Sequence, residues 1–374
     1  MRIGINLLPF GKKIGGAGVY AKNIVQELLR LDTKNEYFLF VQEEGIKHIG
    51  LLPNNFNYVQ LFSSGGFIKR IFVEQVLLPK KLSKLSIDIL FTPSVAIPLF
   101  TQKRLFTTIH DIAFVRVPKK YPFLRRVYIR FITYLAIIKS EIVFSVSSFS
   151  AKEIESFYNL TSHRVRVTYN SVNPIFYKTF SSEELSAFKL KYELPNQFIL
   201  YVGAIEPGKN VEVLIRAFFY IKSMGDTQTK LLLTSGISWE NSYVDSLVNS
   251  SEYKDSVSFL PFIEENNLPS LYASAKCLVI PSKYEGFGIP VIEGMLSGIP
   301  VIASDIPVFK EIGADCITYF DQNNPLELAD ILQHTLQSVY SKEDKLKAQV
   351  RVKSFSWKES ANTLLNCFEN KNEY

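Results

Sequence analysis

The chain has 374 residues, 47% hydrophobic and 21% charged, a composition typical of globular proteins and unlike disordered ones. This length predicts two domains, and three cysteines without a C-x-x-C pair argue against a disulfide framework or a structural zinc site. The most apolar helical stretch, residues 127–138, is shorter than the roughly 20 apolar residues that span a bilayer. We therefore expect a soluble, cytoplasmic protein.

The net charge of +6 is distributed unevenly between the two halves of the chain. Residues 1–180 contain 25 basic and 11 acidic residues, whereas residues 181–374 contain 17 and 25. Such asymmetry predicts that the basic half meets an anionic partner. Nucleic acid, a membrane surface and a phosphate-bearing acceptor all fit, and ordinary solvated lysines are the alternative.

Short apolar runs alternate with helical patterns in the first half, which is typical of α/β domains with parallel sheets. The predicted strands are Arg2–Leu8, Tyr37–Val41, Ile89–Phe91, Leu105–Ile109, Ile142–Val146 and Val165–Thr168. The predicted helices are Val19–Leu31, Ile71–Lys84, Phe123–Ile138 and Ser150–Tyr158.

The second half repeats this rhythm after a polar stretch that begins near Asn173-Pro174. Its predicted strands are Phe198–Val202, Leu231–Thr234, Val257–Phe259, Cys277–Ile280 and Val301–Ala303. Its predicted helices are Val211–Lys222, Asn266–Ala273, Pro290–Ser297 and Leu326–Val339. The pattern predicts two doubly wound Rossmann-like domains, 1–175 and 176–355, that face each other across a cleft at their strand carboxyl ends.

Two glycine-containing loops follow predicted strands. Gly15-Gly16-Ala-Gly-Val-Tyr20 opens a helix and can bring backbone N–H groups to a phosphate, although a plain tight turn explains it equally well. Gly203-Ala-Ile-Glu-Pro-Gly-Lys209-Asn210 begins like a Walker A motif, but Asn210 replaces the Ser or Thr that holds Mg²⁺. We reject the nucleoside-triphosphatase interpretation and keep Lys209 as a candidate diphosphate ligand.

The segment from Pro281 to Glu293 is the most informative one. Glu285 precedes a glycine-rich turn that contains Phe287 and Gly288, and Glu293 lies inside the following helix. Two carboxylates placed in this way can hold separate hydroxyl-bearing groups, with the N–H groups of the loop as additional donors. A solvated helix face explains the pair poorly, because apolar residues flank Glu293.

A third candidate stretch, Thr107-Thr-Ile-His110-Asp111, closes a strand of the first half. A lone histidine is more often structural than catalytic. The position at the carboxyl end of a strand, where α/β proteins bind ligands, favours a functional role for His110.

Together these stretches resemble glycosyltransferase family 4, a family of retaining nucleotide-sugar transferases with the GT-B fold, over nearly the whole chain. The matching stretches are Gly15–Tyr20, Thr108–Asp111, Ser145–Glu153, Tyr201–Asn210, the E-x7-E signature from Glu285 to Glu293, and Phe355-Ser-Trp357. The resemblance implies that the closing helix, 356–374, packs back on the N-terminal, acceptor-side domain.

The resemblance also implies roles for the site residues. Gly15, Gly16 and Lys209 would bind the donor diphosphate, and Glu293 the nucleotide ribose. Glu285, Phe287 and Gly288 would hold the transferred sugar, and His110 and Glu285 are the candidate catalytic residues.

One departure from the family pattern concerns the diphosphate clamp. Gly208 stands where the family usually has an arginine beside the lysine. Loss of this cation weakens leaving-group stabilisation unless another basic residue replaces it. A catalytically inactive relative that binds nucleotide-sugars is therefore one alternative, and a sugar-nucleotide epimerase or a phosphorylase is another.

The resemblance favours transfer of mannose from GDP-mannose in bacterial polysaccharide synthesis, with UDP- and dTDP-sugars left open. The chain has no D-x-D motif, so we expect catalysis without a metal or any other cofactor, through Lys209 and helix N-termini. Nucleic acid is not an expected partner.

The expected acceptor is a saccharide, free or linked to a lipid diphosphate, at the inner face of the cell membrane. Basic residues of the first half would contact this acceptor or the anionic membrane surface. They are Lys69, Arg70, Lys80, Lys81, Lys119, Lys120, Arg125, Arg126 and Arg130.

Overall fold

The computed structural model describes residues 1–11, 15–63, 65–234, 242–260 and 263–369. They form two compact units. The first contains Met1–Phe114, Tyr121–Asn170 and the chain from Ser356 onward, and the second contains Val115–Lys120 and Ser171–Phe355. Each unit is built on one parallel sheet flanked by helices, which confirms the predicted α/β class.

The sheet of the first unit has seven parallel strands within the described ranges. They are β1 Arg2–Asn6, β2 Glu36–Gln42, β3 Phe56–Phe62, β4 Ile89–Thr92, β5 Arg104–Thr108, β6 Ser140–Ser145 and β7 Val165–Val167. Their order is β3-β2-β1-β4-β5-β6-β7. The strand order therefore reverses between β1 and β4, and such a reversal opens a crevice for ligands at the carboxyl ends.

Helices flank this sheet. They are α1 Gly16–Leu31, α2 Glu43–Ile49, α3 Phe67–Phe72, α4 Leu78–Lys84, α6 Phe123–Lys139 and α7 Ser148–Tyr158. A short helix, α5 Ala113–Arg116, begins in the first unit and ends in the second. The predicted helix Ile71–Lys84 falls within a continuous helical stretch, in which a π-helical turn, Val73–Leu77, separates α3 from α4. Pro79 lacks an N–H and its ring would clash with the carbonyl of Gln75, which favours a widened turn there.

The second sheet contains six parallel strands in the part of the chain that the structure describes. They are β8 Phe198–Val202, β9 Lys230–Thr234, β10 Val257–Leu260, β11 Cys277–Ile280, β12 Val301–Ser304 and β13 Thr318–Phe320. The order β10-β9-β8-β11-β12-β13 reverses between β8 and β11. The loops after these two strands are thus neighbours at the carboxyl edge of the sheet.

The second unit contains eight helices within the described residues. They are α8 Ser182–Lys191, α9 Val211–Ser223, α10 Ser242–Asn249, α11 Leu268–Ser274, α12 Ile289–Ser297, α13 Pro307–Gly313, α14 Pro325–Gln337 and α15 Lys342–Val352. In α9, Val211, Leu214, Ile215 and Phe218 are buried, and this spacing of three, four and seven places them on one helix face.

The last helix, α16 Trp357–Glu369, belongs to the first unit and packs against α1. The ring of Trp357 lies 6.1 Å from that of Tyr20, and the ring of Phe368 lies 5.0 Å from that of Phe106. Its apolar side chains therefore complete the core of the first unit.

Candidate functional site

Two loops meet at the point where the strand order of the second sheet reverses. One follows β8 and contains Gly208 and Lys209, and the other follows β11 and contains Glu285. The backbone N–H of Lys283 donates to the carbonyl of Gly208 at 2.9 Å and joins the loops. Parallel α/β sheets bind ligands at such a position.

Lys209 and Glu285 form an ion pair across these loops. The Lys209 Nζ lies 2.5 Å from Glu285 Oε1, which also accepts a hydrogen bond of 2.8 Å from Ser282 Oγ. Burial would raise the pKa of Glu285, but the charge and hydrogen bond of Lys209, the Ser282 hydroxyl and the charge of Lys120 bring it below its ordinary value. Glu285 is therefore a carboxylate at neutral pH.

A second lysine lies at the same turn. Lys120 forms an ion pair of 2.8 Å with Glu206, and Val117 packs 3.5 Å from the position that a Cβ of Gly208 would occupy. We predicted Lys119 and Lys120 to act with the other basic residues of the first half of the chain. In the structure both belong to the segment Val115–Lys120, which packs with the second unit. The side chains of Val117 and Lys120 thus cover the turn where the family places an arginine.

Glu293 lies in α12 and accepts a hydrogen bond of 2.6 Å from the hydroxyl of Tyr272, which comes from α11. Burial raises the pKa of Glu293 to about 7, with a further increase from Glu265 and a partial offset by the Tyr272 hydrogen bond. Ionised, this carboxylate can accept hydrogen bonds from hydroxyl groups of a ligand.

The turn between the two glutamates needs glycine. Gly288 has φ +101° at the N-terminus of α12, and a Cβ there would lie 2.6 Å from the ring of Phe309. Phe287 is buried and meets the ring of Phe355 edge-on at 5.5 Å. Packing thereby fixes the backbone that leads into α12.

In the first unit, Gly15 and Gly16 lie at the start of α1, where Gly15 is the N-cap. The Gly15 carbonyl accepts from the N–H groups of Gly18 and Val19 at 2.8 and 3.0 Å. A Cβ at Gly15 or Gly16 would meet no described atom within 4 Å. The exposed first turn of α1 can therefore admit an anion.

His110 follows β5 and is held in one orientation. Its Nε2 donates to the carbonyl of Pro93 at 3.0 Å, and its ring meets the edge of Tyr20 at 5.1 Å. Because Nε2 carries the proton, Nδ1 is the acceptor nitrogen. Burial lowers the pKa of His110, against opposing effects of Pro93 and Asp111, and favours the neutral ring.

Most of the remaining basic candidates lie on α3 and α6, two helices of the first unit that also expose apolar side chains. Arg125, Arg126 and Arg130 of α6 lie over the rings of Tyr121, Phe123 and Phe157, respectively, and Lys69 of α3 lies over Phe62; Lys80 and Lys81 are exposed on α4. The exposed apolar residues of α3 and α6 are Phe67, Ile68, Phe72, Phe123, Leu124, Val127, Phe131, Tyr134 and Ile138. We call these two helices with their basic residues the amphipathic surface.

Among the described residues, no group of three His, Cys, Asp or Glu side chains is arranged to hold a metal ion. No described helix has the length and hydropathy of a membrane span.

The structure brings Lys209, Glu285, Phe287, Gly288 and Glu293 to one edge of the second sheet. Sequence reasoning missed Tyr272, Ser282 and the pairing of Lys120 with Glu206. Ser282 lies only three residues before Glu285, so its proximity was a usable signal. Tyr272 and Lys120 are distant in the chain from their partners and carry no such signal.

Comparisons with known proteins match both halves of the chain. Residues 182–353 match the model for glycosyl transferases group 1, and residues 14–175 match that for glycosyltransferase family 4. O-antigen chain mannosyltransferase B of Escherichia coli is 29% identical over 272 residues, or 71% of this chain and 70% of that protein. O-antigen chain mannosyltransferase RfbU of Salmonella typhimurium is 38% identical over 218 residues, which cover 58% of this chain and 56% of RfbU.

Solved structures share the fold at low sequence identity. A glycosyltransferase from Rickettsia africae has a TM-score of 0.74 at 18% identity, with coverage of 100% of this chain and 99% of that one. Anabaena HepE in complex with UDP-glucose has a TM-score of 0.77 at 18% identity, with coverage of 98% and 99%. WaaG, a glycosyltransferase involved in lipopolysaccharide biosynthesis, has a TM-score of 0.72 at 17% identity, with coverage of 98% and 100%.

Proposed function

Because this chain belongs to the group 1, family 4 glycosyltransferases with the GT-B fold, we propose that it is a retaining enzyme that transfers mannose from GDP-mannose to a growing polysaccharide. The observation that carries the donor site is the cluster of Lys209, Glu285 and Glu293 where the second sheet reverses. Its mannosyltransferase relatives support the sugar.

The second unit is proposed to bind the nucleotide-sugar. The carboxylate of Glu293 accepts hydrogen bonds from the ribose hydroxyls, with Tyr272 holding it in position. Glu285 and the backbone at Phe287 and Gly288 bind the hydroxyls of the sugar. The pairing of Glu285 with Lys209 supports this division, because it keeps the glutamate ionised as an acceptor and places a cation beside it.

The first unit contributes two further groups to the proposed reaction. The exposed first turn of α1 at Gly15 and Gly16 offers backbone N–H groups to a phosphate. His110, neutral and oriented by Pro93, is assigned to the reacting side of the sugar. Both roles come from the family resemblance, and the open space at Gly16 is consistent with the first.

The difficult step is departure of the nucleoside diphosphate from the anomeric carbon. We propose that Lys209 and Lys120 stabilise its charge and that no metal or other cofactor is required. Lys120 would supply the cation that is absent at Gly208, because it pairs with Glu206 in the same turn and its charge acts on Glu285. Fixed cations at a developing charge are usually the largest catalytic contribution in such reactions.

Retention of configuration requires attack on the face that the leaving group leaves. As the bond from the anomeric carbon to the phosphate oxygen breaks, the acceptor oxygen forms its bond on the same face. The proton of the acceptor hydroxyl passes to the departing phosphate. No carboxylate has to act as a nucleophile in this scheme.

The amphipathic surface supports a site of action at the inner face of the cell membrane. Arginines interleaved with exposed aromatic and aliphatic residues are typical of segments that lie in the interface of an anionic bilayer. Each basic residue near such a surface contributes about 1 kcal/mol. Peripheral attachment would bring the enzyme to a lipid-linked acceptor.

A thermal-shift screen with GDP-, UDP-, dTDP- and ADP-sugars tests the donor assignment, first without added metal and then with EDTA. A nucleotide at a hundred times its dissociation constant stabilises the protein by about 2.7 kcal/mol, which raises the melting temperature by several degrees. We expect GDP-mannose to give the largest shift and EDTA to leave it unchanged. A larger shift with another nucleotide would reassign the donor, and loss of the shift in EDTA would reject metal independence.

A further inference from the structure

A cavity of about 750 Å³ lies within the first unit, at the carboxyl edge of its sheet. One side is lined by Pro9, which follows β1, and by Gln42 and Phe62, the last residues of β2 and β3. Residues of α3 and α6 line the other side. Carboxyl edges of parallel sheets are where α/β proteins bind ligands. None of the donor residues assigned above lines this cavity.

Arg70 is a lining residue held in place from two sides. Its Nε lies 3.4 Å from Glu74 Oε1, and its guanidinium group lies 5.2 Å from the ring centre of Phe67. The Glu74 side chain is 2% exposed, and its Oε1 and the Arg70 Nε form this ion pair without a hydrogen bond to any other described residue. The ion pair and the contact with Phe67 therefore hold the Arg70 guanidinium group at the wall of the cavity.

The charge of the cavity is positive. Arg70 and Arg125 both line it, and Arg125 lies over the ring of Tyr121 at 5.5 Å. Burial raises the pKa of Glu74 to about 7, against a lowering by Arg70, so near neutral pH Glu74 only partly offsets the arginines. Guanidinium groups fixed in advance lose little entropy when they bind phosphate oxygens.

The rim of the cavity is apolar and continuous with the amphipathic surface. Phe67 and Leu124 line the cavity and are 45% and 81% exposed. Both residues belong to the helices whose exposed side chains form that surface. A ligand bound here therefore meets cations inside and hydrocarbon outside.

We propose that this cavity binds the phosphate-bearing end of the acceptor, a phosphate or diphosphate ester of a long apolar alcohol. Arg70 and Arg125 contact the phosphate oxygens, and Phe67 and Leu124 contact the first carbons of the chain. This assignment rests on the proposed function, because it identifies the acceptor of that reaction as lipid-linked. It places the lipid anchor of the acceptor in the same unit as His110.

Isothermal titration of the full-length protein with farnesyl diphosphate below its micellar concentration tests the proposal, with inorganic diphosphate and farnesol as partial ligands. We expect farnesyl diphosphate to bind more tightly than either partial ligand. Arg70→Gln and Arg125→Gln should each weaken its binding about tenfold or more. Leu124→Ser should weaken binding of farnesyl diphosphate and leave that of inorganic diphosphate unchanged.

Arg30→Gln is the matched control, because it removes one arginine from the C-terminal end of α1, at the opposite edge of the same sheet. It should bind farnesyl diphosphate like the wild type. Equal binding by the wild type, Arg70→Gln and Arg125→Gln would overturn the proposal, as would absence of binding or displacement by GDP or UDP.

The thermal shift with nucleotide-sugars, measured on every variant, distinguishes failure of the cavity assignment from failure of the donor assignment. A preserved shift shows that a variant is folded and that the donor site is intact. If no nucleotide shifts the wild type while farnesyl diphosphate still requires both arginines, the donor assignment fails and the cavity assignment stands.

Discussion

Two ion pairs occupy the turn that carries Gly208. Lys209 pairs with Glu285, and Lys120 pairs with Glu206. An arginine at position 208 would have been a third cation, and its absence is offset by Lys120 in our account. The four charged groups are partly buried, so their mutual attraction exceeds that of an exposed pair.

Replacement of either lysine should impair transfer. We expect Lys209→Gln and Lys120→Gln each to lower kcat/KM by roughly 10- to 1000-fold, since each removes a fixed cation from the departing diphosphate. Lys276→Gln, at the amino end of β11, is the charge-matched control and should retain activity. Steady-state kinetics with the preferred donor measure the effect.

A second substitution that restores a cation to the turn distinguishes loss of charge from distortion of the backbone in Lys120→Gln. A Cβ at position 208 meets Val117 at an ordinary contact distance of 3.5 Å, so the backbone accepts a side chain there. Gly208→Arg should restore activity to Lys120→Gln if the charge is what matters. Full activity of Lys120→Gln alone would remove Lys120 from the mechanism.

The raised pKa of Glu293 predicts that the free energy of unfolding depends on pH near neutrality. Its pKa is raised to about 7 in the folded protein, so the folded state holds this proton more tightly than the unfolded one. The wild type should thus lose stability relative to Glu293→Gln as pH rises from about 4.5 to 7, by on the order of 3 kcal/mol. Urea unfolding of both proteins from pH 4.5 to 8 measures this difference.

Nucleotide binding should change in the opposite direction. The ionised carboxylate is the better acceptor for ribose hydroxyls, so wild-type affinity should increase as pH rises through 7, and that of Glu293→Gln should not. Tyr272→Phe removes a hydrogen bond that lowers the pKa of Glu293, and its midpoint should move to higher pH. An unchanged midpoint in Tyr272→Phe would contradict this explanation.

At the residue scale, the sequence motifs predicted Glu285, Glu293 and Lys209 as site residues, because their spacing within two short segments is visible. It did not reveal their partners. Tyr272 lies in another helix, 21 positions before Glu293 in the chain, and no local pattern relates them. Side-chain pairing across elements is set by packing, which periodicity does not encode.

At the scale of elements, the turn before α12 depends on one glycine for two reasons. Gly288 combines a positive φ with a close approach to Phe309, whereas Gly225 has a similar φ of +100° and no described atom within 4 Å of its Cβ position. Substitutions at these two glycines therefore distinguish the cost of a left-handed backbone from the cost of overlap with a neighbouring side chain.

We expect Gly225→Ala to lower the free energy of unfolding by about 1–2 kcal/mol, from the left-handed backbone alone. Gly288→Ala should cost roughly 1–3 kcal/mol more, because Phe309 has to move. Urea denaturation of the two variants measures the costs. Equal costs would show that Phe309 adjusts freely and does not fix the turn.

Several elements were not visible in the sequence. β3 and β13 are edge strands that expose residues such as Asn57 and Thr318, and their mixed pattern gave neither an apolar run nor clear alternation. The central strands of both sheets are buried on both faces and were predicted correctly to within one or two residues. Burial on both faces produces the continuous apolar runs that periodicity detects.

At the scale of the whole molecule, the order of motifs was enough to predict two parallel-sheet units. The assignment of Val115–Lys120 to the second unit was not foreseeable, because this segment lies amid first-unit sequence and has no composition of its own. The amphipathic surface was predicted as charge only. The aromatic residues beneath its arginines were not part of that prediction.

The amphipathic surface predicts salt-dependent binding to anionic vesicles. Replacing Arg125, Arg126 and Arg130 of α6 with Gln should weaken vesicle binding about 100-fold at low salt, at about 1 kcal/mol per basic residue. The same change at Arg30, Lys34 and Lys103, at the amino edge of the first sheet, is the control. Vesicle binding that changes neither with salt concentration nor on replacement of these arginines would reject electrostatic attachment.

The most direct test of the central claim is a transfer assay with GDP-mannose and a lipid-diphosphate-linked saccharide acceptor in the presence of EDTA. Our account predicts GDP release together with an elongated acceptor, and an α-linkage that retains the anomeric configuration of the donor. Nucleotide binding without transfer from any of the four nucleotide-sugar classes would contradict it and identify a non-catalytic relative. An inverted linkage, or transfer that requires a divalent metal, would contradict the proposed mechanism.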